Sequence, residues 1–469
     1  MPPTVRRALR LVLAASSVAA LGRAAAQEPA APPPAPPLRL PAPGGPHPVG
    51  TVDWLVVDSA RVDTLDGVHG APGTPPGAPW IGPRRLMVAV WYPAAAGARG
   101  ERAPYLRAGA AEVDVLVALT RRPAAAFAPL VAARSHAVVG APVAPAPRGS
   151  PRGHPIVVLS HGYLSTPSVH TAAAEALASR GYVVLAIAHT GEAQAVRFPD
   201  GVVATMAAEG GRALAERPRA VLAEWAAEDS VVGAATAAVG DGARRAILGR
   251  YLASIPRTTA ALGRWVADVR LVLDHAAGRA RAEVGADLLA GRLDTLVVGV
   301  VGHSFGGVTA AAVCQTDARC RAALNLDGIP QYGALAGDPA DSTGRRVGAP
   351  AEPLRRSLRR SLRRPLLMLY TERPGRVGAS DVLYRDVAAP YWRAVLADAR
   401  HLDPSDWPLF GPQLRRGPGF GPIPPDEAVR RTNALLVAWF DHTLRGRPSP
   451  LLAGARPIPG LTVRRLTPP

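Results

Sequence analysis

No lysine occurs among the 469 residues: all 54 basic side chains are arginine, against 36 acids, for a formal charge of +18. Abundant Ala, Gly, Pro and Arg without Lys is the compositional mark of a GC-rich genome, so the basicity is in part a coding bias. No RNA- or DNA-binding motif accompanies it, and nucleic acid is not expected as a partner. Cysteine is almost absent, with only Cys314 and Cys320, and the histidines are scattered. No Cys/His spacing fits a zinc site, and neither a metal nor a cofactor is expected. Long apolar runs are missing as well. The run Leu11–Leu21 is too short to span a bilayer comfortably, and no other segment is long enough. What is present suffices for a packed core: 48% of the residues are hydrophobic, which excludes full disorder. The 47 glycines and 50 prolines follow no collagen-like period. The length allows two or three average domains, or one large α/β domain with insertions.

The N-terminus reads as an export signal over residues 1–26. Arg6, Arg7 and Arg10 form a positive region, Leu11–Leu21 the apolar region, and Ala24-Ala25-Ala26 a small-residue cleavage site. An uncleaved anchor is the alternative. A periplasmic or secreted protein meets an oxidising compartment, where Cys314 and Cys320 can form a disulfide; two buried thiols are the plainer possibility. Residues 27–48 are dominated by Pro and Ala and read as an extended tether. Residues 49–446 read as the folded domain and 447–469 as a C-terminal tail.

Within the domain, Val52–Val57 and Leu86–Tyr92 have the β-branched and aromatic content of strands. Ile156–Ser160, Tyr182–Ala188, Thr295–Val301, Ala322–Leu326 and Leu366–Tyr370 are nearly continuous apolar runs. That pattern suits strands of a parallel sheet covered on both faces. Helical stretches alternate with them at Ser168–Arg180, Thr259–Ala277, Phe305–Gln315 and Asp426–Leu444. In the second of these, Leu262, Val266, Val269 and Leu273 recur at helical spacing. The alternation predicts an open, mostly parallel α/β sheet flanked by helices. Residues 190–256 break the rhythm; they are Ala-rich and read as an inserted helical cap, with a plain surface excursion as the alternative. The stretch Arg355–Arg364 repeats Leu amid arginines. As a helix it could touch an anionic lipid surface, or simply stand solvated.

The chemistry concentrates where Val297–Val301 runs into Gly302-His303-Ser304-Phe305-Gly306-Gly307 and then an Ala-rich helix. This is G-x-S-x-G in its strand–turn–helix context, a sharp turn that lifts a serine hydroxyl out of the sheet. Glycines flank the serine because a Cβ there would strike the neighbouring strand or helix. A nucleophilic serine needs a base, an acid that orients the base, and two donors for the tetrahedral intermediate. Asp327 ends the strand after the nucleophile helix, the edge at which such sheets carry their sites. A turn residue in Asp-Gly is its plain reading, and Asp381 and Asp386 are weaker candidates for the acid. Downstream lie only His401, on a loop after a short apolar run, and His442, late in a helix; His401 is the expected base. The expected donors are the backbone N–H groups of Phe305 and Tyr163, the latter in the loop His161-Gly162-Tyr163-Leu164, where His161 reads as a bracing side chain.

These residues, with Gly50-Thr51, Arg84-Arg85-Leu86-Met87-Val88-Ala89-Val90-Trp91-Tyr92-Pro93, Val157-Val158-Leu159-Ser160-His161-Gly162, Leu177-Ala178-Ser179-Arg180-Gly181-Tyr182, Leu324-Asn325-Leu326-Asp327-Gly328 and His401-Leu402-Asp403, carry a resemblance. From about Pro48 to Leu444 the chain resembles the bacterial relatives of plasma-type platelet-activating-factor acetylhydrolase, a family of α/β-hydrolases. The resemblance implies an α/β-hydrolase fold, Ser304, Asp327 and His401 as the triad, and the amides of Tyr163 and Phe305 as the oxyanion hole. The family commonly carries Leu at the position of Tyr163. It further implies calcium-independent hydrolysis, through an acyl-enzyme, of short or oxidised acyl chains from small phospholipid-like esters. A lipase, polyester hydrolase or peptidase on the same triad is the alternative, and a non-catalytic binding protein on the same scaffold is a more remote one.

Overall fold

The computed structural model describes residues 38–466 apart from 72, 74, 76–77, 147–151, 208–213, 279–281, 285–286, 329–363, 372–389, 413 and 416. The expected signal peptide, the first half of the tether, the basic stretch up to Arg363 and the alternative acids Asp381 and Asp386 lie outside the described residues.

The strands, in chain order, are β1 (Val49–Leu65), β2 (Val68–His69), β3 (Trp80–Pro93), β4 (Arg102–Pro104), β5 (Arg134–Val139), β6 (His154–Ser160), β7 (Val183–Ala188), β8 (Ala195–Arg197), β9 (Val203–Thr205), β10 (Ala282–Val284), β11 (Leu293–His303), β12 (Cys320–Leu326), β13 (Leu366–Thr371), β14 (Tyr391–Leu396) and β15 (Leu461–Leu466). The helices are α1 (Ala110–Thr120), α2 (Ala128–Ala132), α3 (Thr171–Ala178), α4 (Glu216–Glu224), α5 (Glu228–Ala237), α6 (Asp241–Ala253), α7 (Pro256–Ala276), α8 (Phe305–Thr316) and α9 (Pro425–Arg445). One large sheet runs β15-β14-β13-β12-β11-β6-β7-β3-β1-β5-β4, with β10 also on β1. Its centre, from β14 to β7, is parallel throughout. β3 and β15 close that block antiparallel on either side.

The apolar runs alternate between two covered faces, which is why they show no polar side. Ile156, Val158, Val298 and Val300 join a core with Val269 and Val272 of α7 and Ala310 of α8. Val157, Leu159, Val301 and Leu324 meet Leu177 of α3 and Leu436 and Phe440 of α9 on the other face. At Gly299 an added Cβ would lie 2.4 Å from the Phe440 ring, so only glycine lets α9 approach this strand.

The strand order positions the site. From β6 the chain moves outward to β7, then returns to β11 on the opposite side of β6. The loops that leave β6 and β11 therefore diverge and open a crevice at the C-terminal edge of the sheet, the switch point at which open α/β sheets bind ligands.

Three segments differ from the expectation. Residues 190–256 are not helical throughout: β8 and β9 form a hairpin that pairs with β2 before α4, α5 and α6. The segment 447–469 is not a free tail, because β15 pairs with β14 from Leu461 to Leu466. Its inward residue Leu461 is buried while Arg464 and Arg465 face out, a half-covered edge strand whose brevity hid it. The last part of the tether is pinned down, with Arg180 Nη1 donating to the Pro43 carbonyl and Gly45 N–H to Ser179 Oγ.

Candidate active site

Ser304 occupies the tip between β11 and α8 with φ 54° and ψ −122°, a region that L-residues rarely adopt. The surrounding glycines make that turn possible. A Cβ on Gly302 would stand 2.2 Å from Gly306, and one on Gly306 would stand 2.1 Å from the Ser160 carbonyl oxygen. The Ser304 N–H is spent on the Leu326 carbonyl at 2.9 Å, which locks the elbow to the neighbouring strand.

Asp327 and His401 come to Ser304 from the ends of β12 and β14. His401 Nε2 lies 3.0 Å from Ser304 Oγ, and its Nδ1 lies 2.7 Å from Asp327 Oδ2. Asp327, also in the left-handed region at φ 51°, is buried. Its Oδ1 accepts from the Thr371 N–H at 2.8 Å and the Thr371 hydroxyl at 2.9 Å, leaving Oδ2 for the imidazole. A carboxylate can only accept, so Nδ1 carries the proton and Nε2 presents a lone pair to the serine hydroxyl. His303 supports this ring from below: its Nε2 donates to the His401 carbonyl at 2.6 Å, and the two ring centroids are 4.8 Å apart.

The loop after β6 closes the other side. Gly162 lets it approach, since a Cβ there would be 3.3 Å from Ser304 Cβ. The N–H groups of Tyr163 and Phe305 have no acceptor among the described residues. Phe305 N–H is the first amide of α8, where the helix dipole favours negative charge. Leu164, at φ 59°, donates its N–H to the Glu192 carbonyl at 3.0 Å, which ties the loop down directly after Tyr163. His161 is fully buried, and burial pushes its imidazole down to about 3. Its Nδ1 donates to the Gly162 carbonyl at 2.6 Å and its Nε2 accepts from the His189 N–H at 3.2 Å, a bracing geometry.

Aromatic rings pack together behind these two loops. Tyr163 packs edge-on against Phe305 at 5.4 Å and against Trp225 at 5.1 Å. Trp225 belongs to the 190–256 insertion, which therefore lies against both loops of the site. It is anchored by its Nε1–H donating to Thr258 Oγ1 at 3.0 Å. Cys314, at the end of α8, and Cys320, at the start of β12, are joined by a disulfide. His442 stands far along α9, with Nδ1 near the Arg447 carbonyl. The structure thus brings together Ser304, Asp327, His401, Tyr163 and Phe305. Thr371 and His303 were missed. Thr371 follows an apolar strand and has no motif of its own, while His303 lay in view as the x of G-x-S-x-G.

The family model described as "Platelet-activating factor acetylhydrolase, isoform II" matches residues 130–205, the stretch that carries β6 and the Tyr163 loop. No curated protein matches the chain. Among 249 matching solved chains is a ferulic acid esterase from Streptomyces cinnamoneus. It is 27% identical, with a TM-score of 0.57, and the match covers 90% of this chain and 98% of that one. With its large, mostly parallel sheet flanked by helices the chain has the α/β-hydrolase fold, and its two likenesses, to the acetylhydrolase model over residues 130–205 and to an esterase over most of its length, support an ester hydrolase.

Proposed function

We propose that the chain is an exported serine esterase that removes short or oxidised acyl groups from small, phospholipid-like esters. Its triad is Ser304, His401 and Asp327, and its oxyanion hole is the pair of N–H groups at Tyr163 and Phe305. One observation carries the reading: the hydrogen-bond chain from Asp327 through His401 to Ser304 stands beside two N–H groups without acceptors. His401 Nε2 takes the Ser304 proton as Oγ attacks the ester carbonyl carbon, and the two N–H groups hold the oxyanion. Collapse expels the alcohol, which leaves with the proton from His401, and an acyl group stays on Ser304. Water, deprotonated by His401, then attacks the acyl-enzyme and frees the acid and the serine. Asp327 keeps His401 in the required tautomer and stabilises its cation. Each oxyanion donor is worth about 3 kcal/mol in the transition state.

Export is supported by the N-terminal signal pattern together with the Cys314–Cys320 disulfide. No helix among the described residues is long and apolar enough to cross a membrane. Contact with anionic lipid through Arg355–Arg364 belongs to the same reading.

A second reading has specific support. The solved neighbour is a ferulic acid esterase, and Trp225, only half-buried, stands against the Tyr163 and Phe305 rings of the two loops. Turnover of p-nitrophenyl esters from acetyl to dodecanoyl, with methyl ferulate alongside, separates the two. A steep fall beyond butyryl supports the short-acyl reading, and preference for the ferulate supports the aromatic one. Equal turnover by Ser304→Ala overturns both.

A further inference from the structure

Beneath the Tyr163 loop lies a second Ser–His–Asp arrangement. Ser160, the last residue of β6, has its Oγ 2.9 Å from His189 Nε2, and His189 Nδ1 is 2.9 Å from Asp268 Oδ2. Asp268 comes from α7 and His189 from the end of β7, so three elements converge. All three residues are sealed from solvent, and no substrate can reach this serine. The array therefore does no ester chemistry of its own, and its use must be sought in what it holds.

The proton positions along it follow one from another. Asp268 receives Arg84 through Nε at 2.6 Å and through Nη2, and Arg61 Nη1 at 2.8 Å. Burial alone would raise its carboxyl, but the Arg84 guanidinium outweighs that and holds it well below the usual carboxylate range. Burial also lowers His189, so the ring is neutral. An ionised Asp268 only accepts, hence Nδ1 bears the single ring proton and Nε2 only a lone pair. The Ser160 hydroxyl is then obliged to donate. The ring itself is immobilised by Trp265, stacked on it with centroids 3.8 Å apart and planes 10° apart.

What this fixes is the start of the loop that carries the Tyr163 amide. Ser160 hangs on the His189 ring, and the next residue, His161, hangs on the His189 backbone N–H. The carbonyls of the same two residues lie against Gly306, the second residue of the helix after Ser304, with no room for a Cβ between. Tyr163 N–H follows three residues after Ser160 and inherits its placement. We propose that Ser160, His189 and Asp268, anchored by Arg84, are positioning residues that set the Tyr163 amide against Ser304 for the oxyanion of the transition state. This rests on the proposed role of Tyr163 and goes beyond it, by assigning to a sealed array a task in the reaction.

The test uses Ser160→Ala, which removes one hydroxyl, and Ser160→Cys, which restores a donor, though a weaker one. The full mature protein is measured on p-nitrophenyl acetate and with butylboronic acid, whose tetrahedral adduct on a serine mimics the oxyanion. The expected result for Ser160→Ala is a kcat about 10-fold lower, a KM within about twofold, and boronate affinity lowered by the same factor as kcat. Ser160→Cys should fall between it and the wild type. A folded Ser160→Ala with unchanged kcat overturns the proposal. So does a loss of kcat with unchanged boronate affinity, because a general loosening of the fold does not select the tetrahedral adduct. Ser304→Ala runs alongside: if it stays active the proposed function itself fails, whereas a dead Ser304→Ala with a normal Ser160→Ala sinks only the positioning role.

Discussion

The Ser304–His401–Asp327 and Ser160–His189–Asp268 arrays contain the same three side chains in the same proton order, with similar spacings: 3.0 and 2.7 Å in the first, 2.9 and 2.9 Å in the second. Their surroundings differ in three ways. Ser304 sits on a left-handed elbow at the end of a glycine-flanked strand, while Ser160 ends an ordinary strand. His401 keeps about a quarter of its side chain exposed, at 24%, while His189 keeps none. Asp327 is held by the neutral Thr371, while Asp268 is claimed by two guanidiniums. A carboxylate already matched by arginines has less field left to stabilise a histidine cation, and a sealed serine meets no ester. The comparison teaches that a hydrogen-bonded Ser–His–Asp chain is a way of fixing protons. It becomes a reaction centre only where an elbow, an opening and free N–H donors are added.

The largest expected effect separates the two serines. A fluorophosphonate probe should label the peptide that contains Ser304 and leave the Ser160 peptide untouched, read by mass spectrometry. Ser304→Ala should cost about 10³-fold or more in kcat with an unchanged melting temperature. Label on Ser160 would erase the distinction drawn here. The two acids come next, with opposite readouts. Asp327→Asn should lower kcat by about 10⁴-fold through the wrong His401 tautomer and leave stability nearly intact. Asp268→Asn should instead cost about 3 kcal/mol of unfolding free energy, because the buried Arg84 loses one of its two carboxylate partners and keeps only Asp63. Denaturant titration and initial rates on both variants decide it; a stable Asp268→Asn would break the contrast.

Acid should act on the sealed histidines through stability. Burial holds His161 down to about 3 and also lowers His154, His170 and His189. Below the ordinary histidine value near 6.5 the unfolded chain takes up protons that the folded chain refuses. Stability should therefore be full above about pH 6.5 and fall toward pH 5, by about 1 kcal/mol per pH unit for each such group. A denaturation midpoint that is flat across that range would count against the buried neutral rings.

Glu112 should give the smallest effect, with the opposite sign. Burial outweighs its hydrogen bonds from the Ala108 N–H and the Ser168 hydroxyl, and raises its carboxyl to about 7. Between the ordinary carboxylate value and 7 the folded chain binds the extra proton, so its contribution declines as pH rises through that window. Glu112→Gln should raise the unfolding free energy at pH 8 by at most about 3 kcal/mol and change little at pH 4.5.

Much of the site was readable because its signals are local. The Gly302–Gly307 turn shows its strand and helix within a dozen residues, and Asp327-Gly328 marks a strand end. His401 was reached by chain order and by the ordinary helix around His442. The partners that hold these groups were not readable. Thr371 lies 44 residues from Asp327, and Asp268 lies 79 from His189 and 184 from Arg84. Nothing in the sequence around Arg84 announces a buried guanidinium; its strand reads the same whether that side chain faces solvent or the core. The β8–β9 hairpin was hidden likewise, since its strands are only three residues long and their further partner, β2 on β9, lies more than a hundred residues upstream.

The sequence by itself determined the parallel α/β sheet, through apolar runs long enough to be covered on both faces. It also determined the nucleophile turn, through glycines that only a tight approach requires. Tertiary structure alone decided which of the two Ser–His–Asp chains keeps a partly exposed histidine and which is shut beneath it. That choice depends on the strand order, which returns β11 to the side of β6 and parts the two loops there. It depends also on where α7 drops Trp265 and Asp268 onto His189. Both are matters of long-range packing, in which the energy of burying a face, and not the preference of any short segment, sets which residues meet.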